Sequence, residues 1–389
     1  MKKTLIVVLS ALLPLMAWAQ TKPTAGNGTP DNPYQIATAE QLVWFQELIN
    51  GNSSEGAEPN TGACAKLTAN IDLSQVCSPT KGGWVAIGLN GAHPYKGTFD
   101  GQGHTISNLY ADWDDEKPGS WGLFNYVDGA TLKNVRFNNV TIAHPNSSAA
   151  LVFTASNCEI SDIVLEGQVR GLWFYGIAAN IDHATLSRCA NYSNLSRATC
   201  ERYVDGPMGF GGIAGHTREV KVTDCVFDGT VTMDYAHDVT GLVADAQVSV
   251  EISNCLVGGS FNLAKSTKEP SEYQYVQSLF AYVNGTSPNV LVKNCFVDER
   301  FSVTYGGKAV SQENVLGSLM YGPPQFMEYN MYSRAYWASA SDLSSGRIAF
   351  MLQDGREESV WGQTLSTQAK PVLGGKQVYV NSGSLNCAG

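Results

Sequence analysis

Hydrophobic and polar positions along this chain repeat. A triplet of small, aliphatic, and small or apolar residues recurs as GLF at Leu123, ALV at Leu151, GIA at Ile177, GIA at Ile213, GLV at Leu242, SLF at Leu279 and SLM at Leu319. A second pattern follows the first six: aliphatic, any residue, polar, then Val, Ile or Cys. It reads LKNV at Val135, ISDI at Ile163, LSRC at Cys189, VTDC at Cys225, ISNC at Cys255 and VKNC at Cys295. The offsets from first to second pattern are 12, 12, 12, 12, 13 and 16 residues, a register that marks an internal repeat. Both patterns alternate with period two and are rich in β-branched residues, so each predicts a short strand with one face inward. A third strand is predicted near Val140, Val169, Leu195, Val231, Phe261 and Phe301.

Three short strands in a repeat of 26 to 40 residues, with no helical period between them, predict one coil of a parallel β-helix. Such a coil cannot bury its inner face alone and must stack on its neighbours. With coils ~4.8 Å apart, about seven to eight of them make a rod ~35–40 Å long. A propeller blade needs four antiparallel strands, for which a 26-residue spacing is too short.

The length variation is confined to one arc. From each second pattern to the next first pattern the arcs are 16, 14, 24, 17, 24 and 24 residues, so insertions are expected to project from one side of the rod. These loops carry Trp121, Trp173, Tyr175, Tyr203, Tyr235, Tyr273 and Tyr275. An aromatic column at coil spacing can stack on sugar rings or bind a protein, and the same side chains can instead cover the outer wall. The acidic members Asp205, Asp234 and Asp238, with Arg202, form the best candidate group for a carboxylate pair or a calcium site.

The two ends read differently from the middle. Thr38 and Gln41 form a capping box ahead of Leu42, Trp44, Phe45 and Leu48, predicting an amphipathic helix that closes one end of the stack. Near the other terminus Asp342 is expected to cap a helix through Met351 with Gly355 as its stop, and the tail from Val360 reads as two strands and a turn, a second cap. Lys2 and Lys3 precede an apolar run from Leu5 to Trp18, flanked by Ala17 and Ala19, which is the pattern of a secretory signal peptide. The expected division is signal peptide 1–19, N-terminal cap 20–82, β-helix 83–335 and C-terminal cap 336–389.

Composition narrows the function classes. Only 15% of residues are charged, 43% are hydrophobic and 39 are Gly, which excludes disorder and charged coiled coils. The formal charge is −10, with no clustered Lys or Arg, so no nucleic-acid partner is expected; no membrane span follows the leader. The inward column Cys189, Cys225, Cys255 and Cys295 reads as stacked thiols or rung-to-rung disulfides, and Cys64 with Cys77 as a possible disulfide. No metal is expected, since CxxC and HExxH are both missing, and no GxSxG, Walker A or GxGxxG occurs. His216, which follows Gly215, is expected at a coil turn.

The segments GGIAGHTREVKVTDCVFDGTVT from Gly211 and TGLVADAQVSVEISNCLVGGSFN from Thr240 resemble the GLUG motif. The stretches GTPDNPYQIATAEQL, KLTANIDLS, WVAIG and YKGTFDGQGHTISNLY are similar to the start of GLUG-type β-helix proteins of bacteria, and the tail at VWGQ and PVLGGKQVY also fits. The resemblance implies a right-handed parallel β-helix and an exported surface or adhesin-like protein. The motif stands beside adhesin-like modules and IgA-cleaving peptidases without supplying catalysis, so it assigns no catalytic residues. The repeats at Leu279 and Leu319 depart from it by lacking the Gly pair. The expectation is therefore a non-enzymatic exported protein that binds a glycan or protein through its variable-loop side and needs no cofactor, at the cell surface, outside the cell or in the periplasm. A polysaccharide lyase or glycoside hydrolase, with calcium allowed, is the alternative by fold analogy, and a purely structural spacer is the third.

Overall fold

A computed structural model describes residues 20–51, 58–112, 120–198, 209–233, 238–263, 276–277, 279–283, 289–310, 332–381 and 383–387. The chain is mostly β, and strands of successive repeats pair in parallel. One ladder stacks Phe99, Leu132, Ile160, Leu186, Val222, Ile252 and Val292. The next stacks Phe137, Leu165, Asn191, Phe227, Val257 and Val297, and its continuation stacks Val140, Val169, Leu195, Val231, Phe261 and Val303. A separate six-stranded sheet stacks Phe124, Val152, Ala178, Ala214, Val243 and Phe280. Each step in these ladders is one sequence repeat, so both patterns stand in the register read from the chain. The architecture is β-helix-like, with the inward members of the ladders forming one long apolar core.

The third column needs one correction. Phe261 pairs with Val303 rather than Phe301, because two extra residues enter the turn after Val297, where Asp298 accepts from the Arg300 backbone N–H at 2.9 Å. Phe301 stays buried and packs edge-on against Phe261 at 4.9 Å. Asn191 is the polar member of an apolar column. It is satisfied there, donating to the Gly212 carbonyl at 2.6 Å and accepting from the Ser193 backbone and hydroxyl.

Two local constraints let coils stack this closely. The polar residue of the second pattern turns the chain in the left-handed region: Asn134, Asp162, Arg188, Asp224, Asn254 and Asn294 have φ of 57°, 57°, 53°, 55°, 54° and 50°. Asn and Asp tolerate that geometry best. Arg188 is the costly member, and its guanidinium is tied to Asp162 of the preceding coil at 2.7 and 2.6 Å. The second constraint is the glycine of the first pattern. A Cβ on Gly176 would lie 1.9 Å from the Gly212 carbonyl oxygen, and one on Gly212 would lie 2.0 Å from that of Gly241.

The cysteine column consists of free thiols. Cys189, Cys225, Cys255 and Cys295 are fully buried, and each donates to the carbonyl two residues earlier. Cys64 and Cys77 are also free, which corrects the bridge considered from their spacing. They serve different coil contacts, Cys64 accepting from the Thr98 N–H at 3.5 Å and Cys77 from that of Tyr110 at 3.4 Å. Burial pushes the Cys77 thiol up to about 11.

At the N-terminal end, helix Ala39–Asn50 is capped by the Thr38 hydroxyl, and its Phe45 ring meets Tyr95 at 6.0 Å and Phe99 at 6.2 Å. Near the other terminus the expected single helix is two, Ala340–Ser344 and Arg347–Gln353, broken at Gly346. Ser339 rather than Asp342 is the cap, and Asp342 accepts from the Ser339 hydroxyl at 2.7 Å. Two antiparallel pairs follow, Trp361–Gly362 with Val372–Leu373 and Val378–Asn381 with Ser384–Cys387.

This C-terminal segment leans on the flank of the stack. Leu343, Ile348, Leu352 and Trp361 pack on the outward column Ala190, Val226, Leu256 and Phe296, drawn from four successive coils. Arg356 grips Asp224 through two 2.8 Å hydrogen bonds, and Trp361 Nε1 donates to the same carboxylate at 2.8 Å. Lys370 bridges Asp228 at 2.8 Å and Asp298 at 2.9 Å. Burial alone raises the Asp298 carboxyl, but hydrogen bonds from Arg300 and Lys370 outweigh it and hold the group at about 2. Because this pKa is depressed, the contact contributes fully above the ordinary carboxylate range and is lost as pH falls toward about 2.

Two outcomes follow from the stacking. Gly212→Ala should cost about 3 kcal/mol in urea unfolding, since its Cβ meets the Gly241 backbone as well as the Phe227 ring, while Gly62→Ala, in open space, should be neutral. Equal stabilities would refute the close-approach role. In the reduced native chain, a thiol reagent read by peptide mass should leave Cys189, Cys225, Cys255 and Cys295 unlabelled until denaturant is added. Native labelling of any of the four would contradict their placement.

Candidate functional site

The six-stranded sheet breaks simple alternation. In its five-residue strands Val152–Ser156 and Ala178–Asp182, the first and fourth residues enter the core, while the second and third face outward. Strands Ala214–Arg218 and Val243–Ala246 repeat the arrangement. The outer surface therefore carries two parallel rows, one residue apart.

The second-position row is Phe153, Ala179, Gly215 and Ala244, and it is roofed by aromatic side chains. The long strand Val164–Tyr175 delivers Trp173 and Tyr175 onto it. Tyr175 is fully buried, its ring so close over the sheet that a Cβ on Gly215 would lie 2.6 Å from it. A Cβ on Gly209 would lie 2.6 Å from the Trp173 ring. A Cβ on Gly215 would also lie 2.4 Å from the Ala179 carbonyl oxygen, so both the backbone and an aromatic of the preceding coil occupy its side-chain space. Further along, Trp121 stacks on Phe153 at 4.6 Å and meets His144 edge-on at 5.0 Å.

The third-position row is polar and aligned strand by strand: Tyr126, Thr154, Asn180, His216 and Asp245. The first four are partly exposed, and Asp245 is 7% exposed. His216 Nδ1 lies 3.1 Å from Asp245 Oδ2 and Nε2 lies 3.4 Å from the Tyr175 hydroxyl. Since a carboxylate only accepts, Nδ1 is the donor to Asp245, while the Tyr175 hydroxyl can pair with Nε2 in either sense. Gln247 Nε2 donates to Asp245 Oδ2 at 3.0 Å. Asp245 Oδ1 is buried and has no hydrogen-bond partner among the described residues.

Beside this row runs a charged rim. Asp128, Ser156, Asp182 and Arg218 align in the fifth position. His183 spans two coils, its Nδ1 2.7 Å from Asp182 and its Nε2 2.7 Å from Glu219. Two carboxylates on two ring nitrogens require the imidazolium form for both contacts to be donated hydrogen bonds.

The sequence candidates distribute unevenly. Trp121 and Trp173 are partly exposed beside the polar row. Tyr175 is corrected from a ligand-stacking candidate to a wall residue, because its ring fills the space over Gly215. His216 is corrected from a turn residue to the centre of strand Ala214–Arg218. Tyr203, Tyr235, Tyr273, Tyr275, Arg202, Asp205 and Asp234 lie outside the described residues, as does the side chain of Asp238, whose backbone opens strand Asp238–Thr240. The polar row was missed, although a signal existed: Tyr126, Thr154, Asn180, His216 and Asp245 each stand three residues after the aliphatic centre of the first pattern. Among the described residues no group of three or more His, Cys, Asp or Glu is placed to hold a metal ion, and no helix is long and apolar enough to cross a membrane.

No protein-family model matches the chain. A segment of 162 residues, 39% of the chain, is 30% identical to halomucin of Haloquadratum walsbyi, and the match spans about 2% of halomucin's length. A crystal structure from Bacteroides ovatus, provisionally described as an immunoglobulin A1 protease, superposes with a TM-score of 0.61 at 16% identity, covering 90% of this chain and 94% of that one. A second solved structure, an IgA1 protease, gives a TM-score of 0.49 at 15% identity over 78% of this chain and 21% of that one. The Bacteroides likeness establishes a shared fold over most of the chain.

The wall role of Tyr175 is testable by truncation. Tyr175→Ala should lose about 4 kcal/mol in urea unfolding through the cavity it leaves, and Tyr175→Phe only about 1 kcal/mol through the hydroxyl's hydrogen bonding. Comparable losses in the two variants would show that the ring is not packed as described.

Proposed function

We propose that this chain is an exported, non-enzymatic surface protein of adhesin type. In this reading it is a GLUG-like right-handed parallel β-helix of about seven to eight coils that binds a glycan or protein partner on its variable-loop side. The observation that carries the reading is one-sidedness. The arcs of variable length rejoin the stack next to the outward face of the six-stranded sheet, where partly exposed aromatics border an unbroken polar row. The flank formed by Ala190, Val226, Leu256 and Phe296 is already occupied by the C-terminal segment. A rigid scaffold with variable loops gathered on one face suits recognition. The Lys2–Lys3 leader pattern and the low charge fit export, and the likeness in fold to the Bacteroides structure fits this architecture without extending its described activity to this chain.

The test is a broad array of glycans and host-surface proteins probed with the purified chain and with the double variant Trp121→Ala, Trp173→Ala. A specific signal that the variant loses is the expected outcome. Signals untouched by the double change, or silence from a well-folded sample, would reject the assignment of this face to binding.

A further inference from the structure

We propose that the third-position row is a subsite for a neutral, linear glycan lying along the stack, with Asp245 as its principal hydroxyl acceptor. This rests on the binding role just argued and names the ligand class for it.

Asp245 is only half partnered. Its Oδ2 is saturated by His216 Nδ1 at 3.1 Å and Gln247 Nε2 at 3.0 Å, which orient the carboxylate, while Oδ1 is buried without a donor. An unsatisfied carboxylate oxygen out of contact with water is among the costlier polar arrangements in a protein. The Asp245 side chain itself is only 10% exposed, so a ligand hydroxyl reaches Oδ1 through a shift of the His216 side chain, which is 35% exposed, and then supplies the missing donor. Carboxylate and amide acceptors beside half-exposed aromatic faces are the groups that suit a sugar ring, polar at its edge and apolar on its face.

Direction and charge follow from the same geometry. Tyr126, Thr154, Asn180, His216 and Asp245 succeed one another at coil spacing, about 4.8 Å per step, so the row offers one polar group per coil along the stack. A chain of pyranose rings repeats its hydroxyls on a comparable spacing, whereas a compact protein surface has no reason to match it. Among the described residues Asp128, Asp182 and Glu219 border the row, with Arg218 as a cation beside them, and Asp245 lies within it. An anionic polysaccharide would meet a field of its own sign there.

The experiment titrates the full chain with soluble galactomannan, xyloglucan and an α-glucan, using polygalacturonate and heparin as anionic controls, by calorimetry or affinity electrophoresis. A neutral polysaccharide should bind, its oligosaccharides should tighten with length until they span the row, and the near-isosteric Asp245→Asn, checked by circular dichroism to be folded, should weaken binding at least about tenfold. Thr154→Arg, on the partly exposed stretch of the row, gives an independent reading: it should abolish the length dependence even if Asp245→Asn fails to fold. Wild-type affinity in Asp245→Asn or in Thr154→Arg, or binding only of the anionic polymers or of a protein, overturns the glycan subsite. If a ligand persists in both row variants yet is lost in Trp121→Ala, Trp173→Ala, the binding face stands and only this inference falls.

Discussion

The outward side chains of the described parallel ladders are positioned by the backbone hydrogen bonds that join one coil to the next. Those bonds exist only if two backbones approach to strand spacing at every rung, and the chain meets that demand at particular residues. Gly176 and Gly212 remove side chains where a carbonyl oxygen of the next coil would otherwise lie 1.9 or 2.0 Å from a Cβ. The Asn and Asp corners turn the chain between ladders without a left-handed penalty large enough to break the stack. The inward Val, Ile, Leu, Phe and Cys members then pack as continuous columns, which a single repeat could not do alone.

The stack was legible because its constraints are local and periodic. Both hydrophobic columns recur at nearly constant offsets, and the strands pair in that register from Phe124 to Phe280. Legibility stopped where a constraint came from another coil or from a distant segment. Gly215 looks like punctuation beside His216, but the Ala179 carbonyl and the Tyr175 ring, 36 and 40 residues earlier, fill the space of a side chain there, and no local pattern reveals that. Val303 displaced Phe301 because an Asp298–Arg300 turn lengthened one coil. The C-terminal segment reads as a cap from its helix signals, yet Asp224, Asp228 and Asp298, all far away in sequence, draw it along the flank.

The candidate site shows the same division. Trp121 and Trp173 were visible as aromatics in variable arcs, and the structure sets them beside the six-stranded sheet. The polar row was hidden in plain spacing: two adjacent outward residues interrupt the alternation that a strand normally shows, so His216 and Asp245 did not read as one surface. Once the coils stack, residues separated by a full repeat become nearest neighbours, and a carboxylate with one oriented and one orphaned oxygen appears on the face that carries the variation. Rigid stacking gives that face a fixed geometry, which lowers the ordering cost of recognition.

The most direct measurement is amide hydrogen exchange of the full chain with and without the partner retained from the array. The account predicts added protection concentrated in strands Val152–Ser156, Ala178–Asp182, Ala214–Arg218 and Val243–Ala246, with the C-terminal flank unchanged. Protection centred on residues 340–378, or on the helix Ala39–Asn50, would contradict it and move recognition to another face of the stack.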